Sequence, residues 1–433
     1  MLRKRRGCMA RACIDGWNLS LAKGSGIATY ARNLATALSQ NGVEIEILHG
    51  PAGPQTSNPL LKEISLSDAR KTARKAGLTR AASTILSRFG RTARSVEESG
   101  LIVGRDDMPP AQRHWAACDI FSTANRAHTL YGTFTPLTFE TSSDGRRGPH
   151  AMHWTTPLPI YARRSANIYT VHDIIPLKLP HSTLDHKQRY YELMKSIVQR
   201  ADLLLSVSET TRTDLIQLLG ADENRVITTY QAIATPERQS SDDDVANDLQ
   251  TLHGLGFKDY FLFFGAVEPK KNVSRLIQAY LQSRVSTPLV IVAGRDWLAQ
   301  EDLALLAHAS ASDSGVRRFD YLPAPLLKNL IQGAKATLFP SLYEGFGLPI
   351  LESMTAGTAV MTSNVSATAE IAGDAALIVD PRSLDDMRTA IIALDTDDDL
   401  RKSLETAGRL RAGTFSIDAY KQRLKGAYGA LGL

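Results

Sequence analysis

From Tyr343 to Glu352 the chain reads YEGFGLPILE, which sets two carboxylates, Glu344 and Glu352, eight positions apart with two glycines and a proline between them. Pro349 suits the first position of a helix, where its missing N–H is not needed and its fixed φ favours the turn. The helix would run LPILESMTAG and stop near Gly357. Glu344 then stands on the loop before the helix and Glu352 roughly one turn inside it. Acids placed this way cannot share one proton. Each can instead accept hydrogen bonds from a different end of one long ligand, whose anionic middle rests on the helix N-terminus.

Three further stretches offer complementary chemistry. YFLFFGAVEPKKN ends a strand at Gly265, turns through Pro269 and brings Lys270 and Lys271 beside Asn272 at a helix entrance. Two such cations form a cradle for a diphosphate. AKGSGIATYARNL feeds a second helix through Gly24, Ser25 and Gly26, where backbone N–H groups can approach an anion. IYTVHDIIPLKLP sets His172 and Asp173 at a strand end, with Pro176 and Pro180 forbidding a prompt helix. An imidazole there can reach a ligand through its ring nitrogens. Carboxylates for hydroxyls and cations for phosphates together suit a nucleotide sugar.

The elements that must carry these loops are legible as short apolar runs alternating with helical periodicity, the pattern of parallel βαβ units. The runs are VEIEIL, NIYTVH, DLLLSVS, YFLFFGA, LVIVAG, ATLFPS and ALIVD. IATYARNLATALSQNG reads as a helix closed at Gly42, and SETTRTDLIQLLG as one capped by Ser208 and ended by Gly220. TPERQSSDDDVANDLQTLHG is polar and acidic, reads as a linker, and is followed by a renewed βαβ pattern. The expected architecture is α/β, with two doubly wound domains at 8–234 and 258–413, a linker at 235–257, and a last helix at 414–433. Ligands of such sheets bind beyond the carboxyl ends of the strands.

Composition narrows the class. With 433 residues, 43% hydrophobic and 22% charged, the chain has room for about two ordinary globular domains. No apolar run approaches the roughly 20 residues of a membrane span, and the basic start MLRKRRGCMARACIDGWN lacks a secretory apolar core, so a cytoplasmic location is expected. Cys8, Cys13 and Cys118 form no CxxC pair, which argues against a disulfide framework or a structural zinc site. The net charge of +5 is unevenly placed. Arg70, Lys71, Arg74, Lys75, Arg80, Arg88, Arg91 and Arg94 crowd residues 67–98, interleaved with Leu78, Ala81, Ile85, Leu86 and Phe89. That spacing predicts a basic amphipathic helix or helix pair, suited to an anionic membrane surface or an acidic acceptor.

In order along the chain, KGSGIATYARNL, TVHDIIPLKLP, ADLLLSVSETTRTDL, FGAVEPKKN and LFPSLYEGFGLPILESMTAG resemble the motifs of the retaining group 1 glycosyltransferases with the GT-B fold. In that fold two Rossmann-like domains face a cleft. The resemblance covers nearly the whole chain apart from residues 67–98 and 141–150, and its HDIIP and KGSGIATYA forms look most like bacterial mannosyltransferases of polysaccharide assembly. It implies that Glu344 and Glu352 are the two acids of the E-x7-E motif, contacting donor-sugar hydroxyls and ribose respectively. Backbone N–H groups of Gly345, Phe346, Gly347 and Leu348 would lie near sugar and phosphate, and Lys271 would neutralise the leaving diphosphate. Gly24, Ser25 and Gly26 would face it across the cleft, His172 would sit by the anomeric carbon, and Asp173, Asn18 and Tyr30 would serve the acceptor.

The chain departs from the family pattern twice. Ala266 stands where many relatives carry arginine, so Lys270 or Arg295 is expected to supply the second cation; Ala369 replaces a usual proline. The implied activity moves a sugar, mannose from GDP-mannose being favoured, to a saccharide or lipid-linked saccharide of cell-surface polysaccharide such as lipopolysaccharide. Configuration would be retained, with no metal, no cofactor beyond the donor and no nucleic acid partner. Peripheral attachment to the inner face of the membrane is the associated expectation. A non-catalytic nucleotide-sugar-binding scaffold of the same fold is the alternative. A dinucleotide oxidoreductase is disfavoured by the missing GxGxxG.

Overall fold

The computed structural model describes residues 9–20, 26–50, 77–96, 111–141, 147–233, 240–294, 300–311, 314–320 and 322–433, with residues 58, 61, 63–64, 108–109 and 145 between them. Two sheets organise these residues. The first contains β1 (Arg11–Asp15), β2 (Glu44–His49), β3 (Arg91–Val96), β4 (Arg113–Ala116), β5 (Thr135–Phe139), β6 (Ala151–Trp154), β7 (Ile160–Ala162), β8 (Ala166–Val171), β9 (Leu203–Ser206) and β10 (Val226–Thr228). Their order is β10-β9-β8-β6-β1-β2-β4-β3-β5-β7. Each neighbouring pair in this order is parallel except β3 with β4.

The second sheet holds β11 (Phe261–Phe264), β12 (Leu289–Val292), β13 (Val316–Phe319), β14 (Ala336–Phe339), β15 (Ala359–Ser363) and β16 (Leu377–Val379). It is parallel, in the order β13-β12-β11-β14-β15-β16. Renumbered from its own first strand this is 3-2-1-4-5-6, the doubly wound arrangement whose strand order reverses between β11 and β14. FLFF, LVIV and ATLF are buried along their whole length because helices cover both faces.

Local signals account for the helices that feed the site. Ser208 accepts the Thr211 N–H at the start of helix Glu209–Leu219, and Gly220 ends it in the left-handed region. Helix Leu348–Ala356 begins after Gly347, carries Pro349 in its first turn and ends at Gly357, φ 73°. The last helix, Ile417–Gly429, buries Tyr420, Leu424 and Tyr428. It lies on the first domain: Asn41 donates its side-chain amide to the Lys421 carbonyl at 2.9 Å, and the Tyr428 hydroxyl meets His153 Nδ1 at 2.8 Å.

Two parts of the fold differ from the sequence reading. Among the described residues of the basic insert, Gly77–Ser87 is helical, whereas Arg91 and Arg94 belong to β3, whose buried residues are Ala93 and Val96. Pairing with β4 and β5 imposes this strand, and its own polar sequence gives no period-two signal. Residues 67–76 and 97–98 lie outside the described residues. Much of the expected linker is instead helix Asp242–His253, capped by Ser241, with Asp242, Asp243 and Asp244 in its first turn. Those acids complement the helix N-terminus, and Val245 and Leu249 join the same core cluster as Tyr260 and Leu262.

Candidate active site

The reversal between β11 and β14 places two loops side by side. After β11 the chain passes Gly265 and turns through Pro269–Lys271; after β14 it passes Pro340 to Glu344. Asn272, φ 62°, pins them together by donating its side-chain amide to the carbonyls of Pro340 at 3.1 Å and Pro381 at 2.6 Å. Leu342 N–H adds a bond to the Lys270 carbonyl at 2.7 Å. The lysine ammoniums thereby reach one carboxylate. Lys271 Nζ donates to Glu344 Oε1 at 2.6 Å, and Lys270 Nζ lies 3.7 Å from Glu344 Oε2 and 3.5 Å from Glu268.

Burial alone would raise the Glu344 carboxyl, but Lys270 and Lys271 hold it below its usual range. Burial would likewise strip the proton from Lys270, and Glu344 and Glu268 hold it there, raising its pKa. The cluster is therefore ionised and each ammonium keeps further N–H donors for an anion. Glu344 itself is held by its backbone: its N–H donates to Ser366 Oγ at 3.0 Å. Glu352 lies on helix Leu348–Ala356, half-buried, its carboxyl raised by burial against the opposing charge of Lys328.

The first sheet supplies the facing wall. His172 follows β8 and donates its Nε2–H to the Thr155 carbonyl, 2.9 Å away at the end of β6. A carbonyl can only accept, so the proton sits on Nε2 and Nδ1 is left as an acceptor. Burial holds this imidazole down to about 4, partly opposed by that bond. Thr155 is fixed from the other side, its N–H donating to Asp15 Oδ2 at the end of β1. Asp15 is fully buried and pushed up to about 6 by that burial, against the hydrogen bonds it accepts from Thr155 and Trp17.

Tyr30 lies behind this wall. It is buried, its hydroxyl is engaged with Thr170 Oγ1 at 2.8 Å, and its ring meets His172 edge-on at 4.9 Å. It thus supports His172 and has no free hydroxyl for an acceptor. Asn18 is buried at the carboxyl edge of β1, its Nδ2 without a hydrogen-bond partner among the described residues. Asp173 accepts the Ile175 N–H at 3.0 Å, and its carboxyl is raised by burial while the charge of Lys270 opposes the rise.

The two walls touch. A Cβ on Gly345 would come within 1.9 Å of the His172 carbonyl oxygen, so only glycine permits this approach. A Cβ on Gly26, the first residue of helix Gly26–Gln40, would stand 3.6 Å from Leu348 Cδ1, which begins helix Leu348–Ala356. Two helix N-termini thus converge, one of them four residues after Glu344, and each contributes partial positive charge where they meet. Phe346 closes the base of the loop against Phe415 at 5.8 Å. Gly24, Ser25 and Arg295 lie outside the described residues; Lys270 is the described second cation at this place.

Sequence reasoning missed the residues that join the walls. The Glu370 carboxylate accepts the N–H groups of Glu209 at 2.7 Å and Thr210 at 3.0 Å, capping a helix of the other domain. Tyr343 donates its hydroxyl to Asp214, which also pairs with Lys178 at 2.7 Å. The signal for Glu370 was the exposed N-terminus of helix Glu209–Leu219, but the partner is 160 residues away.

Known proteins resemble this chain in sequence and fold. The family model for Glycosyl transferases group 1 matches residues 255–411, and that for the Glycosyl transferase 4-like domain matches residues 25–230. O-antigen chain mannosyltransferase B of Escherichia coli is 32% identical over 59% of this chain and 70% of its own length. Serotype-specific mannosyltransferase WbdA of Escherichia coli is 26% identical over 62% of this chain, and the chain spans only 34% of that protein. Among solved structures, a sucrose-phosphate synthase from Thermosynechococcus elongatus superposes with a TM-score of 0.65 at 16% identity, covering 98% of this chain and 99% of its own, which speaks to the fold. Two family models in succession, a 32% identical relative and the GT-B architecture converge: the chain belongs to the group 1 glycosyltransferases.

Proposed function

We propose that the chain transfers a sugar, mannose being favoured, from a nucleoside-diphosphate donor such as GDP-mannose to a saccharide or lipid-linked saccharide acceptor of a bacterial O-antigen, with retention of configuration. The observation that carries this reading is the ionised Lys270–Lys271–Glu344 cluster at the strand reversal of the second sheet, pressed through Gly345 against His172 of the first. The mannose preference rests on the names of the similar proteins, O-antigen chain mannosyltransferase B among them.

On this reading the donor diphosphate lies over the two lysines and the converging helix N-termini, its sugar hydroxyls donate to Glu344, and its ribose meets Glu352. The bond from the anomeric carbon to the phosphate oxygen breaks with its electron pair leaving on the diphosphate. The acceptor oxygen bonds to the same face of that carbon, and its proton passes to a donor phosphate oxygen. His172, neutral with Nδ1 free to accept, orients a hydroxyl beside the anomeric carbon. Preorganised cations supply most of the barrier reduction, and no metal or protein nucleophile takes part. Thermal stabilisation and hydrolysis across a panel of nucleotide sugars test the donor: GDP-mannose should stabilise and be hydrolysed most. A different nucleotide sugar preferred in both assays overturns the mannose assignment, and stabilisation without hydrolysis of any overturns the transferase reading in favour of a nucleotide-sugar-binding scaffold.

A further inference from the structure

Among the described residues, six other than glycine hold a positive φ, a backbone conformation that L-residues rarely adopt. Three of the six touch the loop that carries Glu344. Asn272 (φ 62°) bonds to Pro340, the Tyr230 (φ 58°) ring lies 6.5 Å from that of Phe346, and Ser366 (φ 56°) bonds to Glu344 itself. Strain of this kind persists where the surroundings over-determine the backbone, and it gathers at functional sites. Two of the three have an evident packing role. Asparagine visits the left-handed region readily, and Asn272 uses its amide to join two loops. Tyr230 is covered by the Arg423 guanidinium at 4.9 Å and meets Phe415 edge-on at 5.4 Å.

Ser366 is different. It is half-buried at the start of helix Ser366–Ala372, after β15, and its side chain serves a residue 22 positions earlier: Oγ accepts the Glu344 N–H at 3.0 Å. The next residue, Ala367, donates its own N–H to the Glu344 carbonyl at 3.4 Å. The left-handed turn thus sets a side-chain acceptor and a main-chain donor against the two main-chain groups of one residue. The Glu344 carboxylate, by contrast, leans on Lys271 and Lys270, the groups that a donor diphosphate would also occupy. Once those ammoniums are shared with phosphate, the main-chain anchor is the fixed reference for the carboxylate.

We infer that Ser366 is a positioning residue for the donor sugar: its hydroxyl sets the Glu344 main chain, and through it the reach of that carboxylate over the sugar hydroxyls. This role rests on the reading of Glu344 as the acid that meets the donor sugar, and adds the residue that aims it. A misplacement of about 1 Å in a positioned group can cost about a hundredfold in rate, so one hydrogen bond to the main chain of that acid has leverage beyond its own strength.

Ser366→Gly and Ser366→Ala both delete the hydroxyl, but only glycine is at ease at φ 56°. Both variants should hydrolyse saturating GDP-mannose about tenfold or more slowly than the parent, yet bind GDP, which carries no sugar, with unchanged affinity in calorimetry. Ser366→Ala should melt below Ser366→Gly. Amide exchange at Glu344, measured without donor, should quicken in both and stay at the parent rate in Glu370→Ala, which perturbs the same short helix further along. Parent-like hydrolysis by Ser366→Gly overturns the inference, because backbone strain alone would then account for Ser366→Ala. So does weakened GDP binding alongside slowed hydrolysis, or Glu344 exchange that Glu370→Ala quickens equally, since either marks a general loosening of the loop. A parent that neither binds nor hydrolyses GDP-mannose counts against the donor reading instead; unchanged Glu344 exchange in Ser366→Gly overturns the positioning role whatever the donor.

Discussion

The two strand-end clusters that meet at Gly345 are built from opposite chemistry. Beyond β11 and β14 the side chains are ionised and paired, Lys270 and Lys271 around Glu344. Beyond β1, β6 and β8 they are linked by hydrogen bonds, Asp15 with Thr155, Thr155 with His172, and His153 between Thr170 and Tyr428, and burial keeps the imidazoles neutral. One wall is suited to charge that develops on a leaving diphosphate. The other is suited to hydroxyl groups that carry none.

The contrast is broken most directly at its charged side. Lys271→Ala should lower kcat by about 10²–10³, the scale of losing one preorganised donor to a developing anion, with Lys271→Arg retaining part of the rate. Steady-state transfer measures it, and parent-like turnover would remove Lys271 from the mechanism. Some loss of stability should accompany it because Glu344 stays buried, moderated by Lys270 at 3.7 Å.

The neutral side answers to acid. Burial depresses the native imidazoles of His49 and His153 to about 3 and His172 to about 4, each from an ordinary 6.5. The unfolded chain takes up these protons below about 6.5 and the native chain does not, so stability falls as pH drops toward 4, by about 1.4 kcal/mol per pH unit for each net proton. Asp15 acts in the opposite sense: its native carboxyl, raised to about 6, is protonated before its unfolded counterpart at 3.8. Urea midpoints between pH 7 and 4.5 should therefore decline, and Asp15→Asn should steepen the decline. A flat profile would show that these imidazoles are not held neutral.

Much of the charged wall was legible in the sequence, because its determinants are local. Pro349 after Gly347 marks a helix entrance, Gly357 its end, and the lysines sit within six positions of Gly265. The neutral wall was mostly hidden. His172 could be placed at a strand end, but Asp15 and Thr155 are 140 residues apart, and nothing in their own neighbourhoods announces the bond. The helix at Asp242–His253 is a different kind of miss: Ser241, three acids in the first turn, Val245 and Leu249 one turn apart and Gly254 at the end were all visible, and polarity outweighed them. For β3 the signal was absent, since RTARSV buries only Ala93 and Val96 and owes its conformation to its neighbours.

The contact between the walls can be tested by space alone. Gly345→Ala would bring a methyl within 1.9 Å of the His172 carbonyl, a backbone atom that cannot swing aside. Relief requires the walls to part, at about 1–3 kcal/mol for overpacking of this kind. Solution scattering should show a larger radius of gyration and transfer should fall about tenfold or more, whereas either domain's own core is untouched. An unchanged radius with parent-like turnover would mean that the two walls do not meet in this register during catalysis.

A gentler separation comes from Glu370. Its carboxylate takes the Glu209 and Thr210 N–H groups at the start of helix Glu209–Leu219, together with the Thr210 hydroxyl at 2.9 Å, so it acts as a cap supplied by the other domain. Removing a cap costs about 1 kcal/mol, and here the helix keeps its own Ser208 cap. Glu370→Ala should therefore leave each domain folded, lower the unfolding midpoint slightly, and speed amide exchange at Glu209 and Thr210 while leaving Lys271 and Glu344 as they were. Exchange unchanged at those two amides would show that the bonds from Glu370 are not maintained in solution. The walls would then be held together by the Gly345 seat and the Tyr343–Asp214 bond instead.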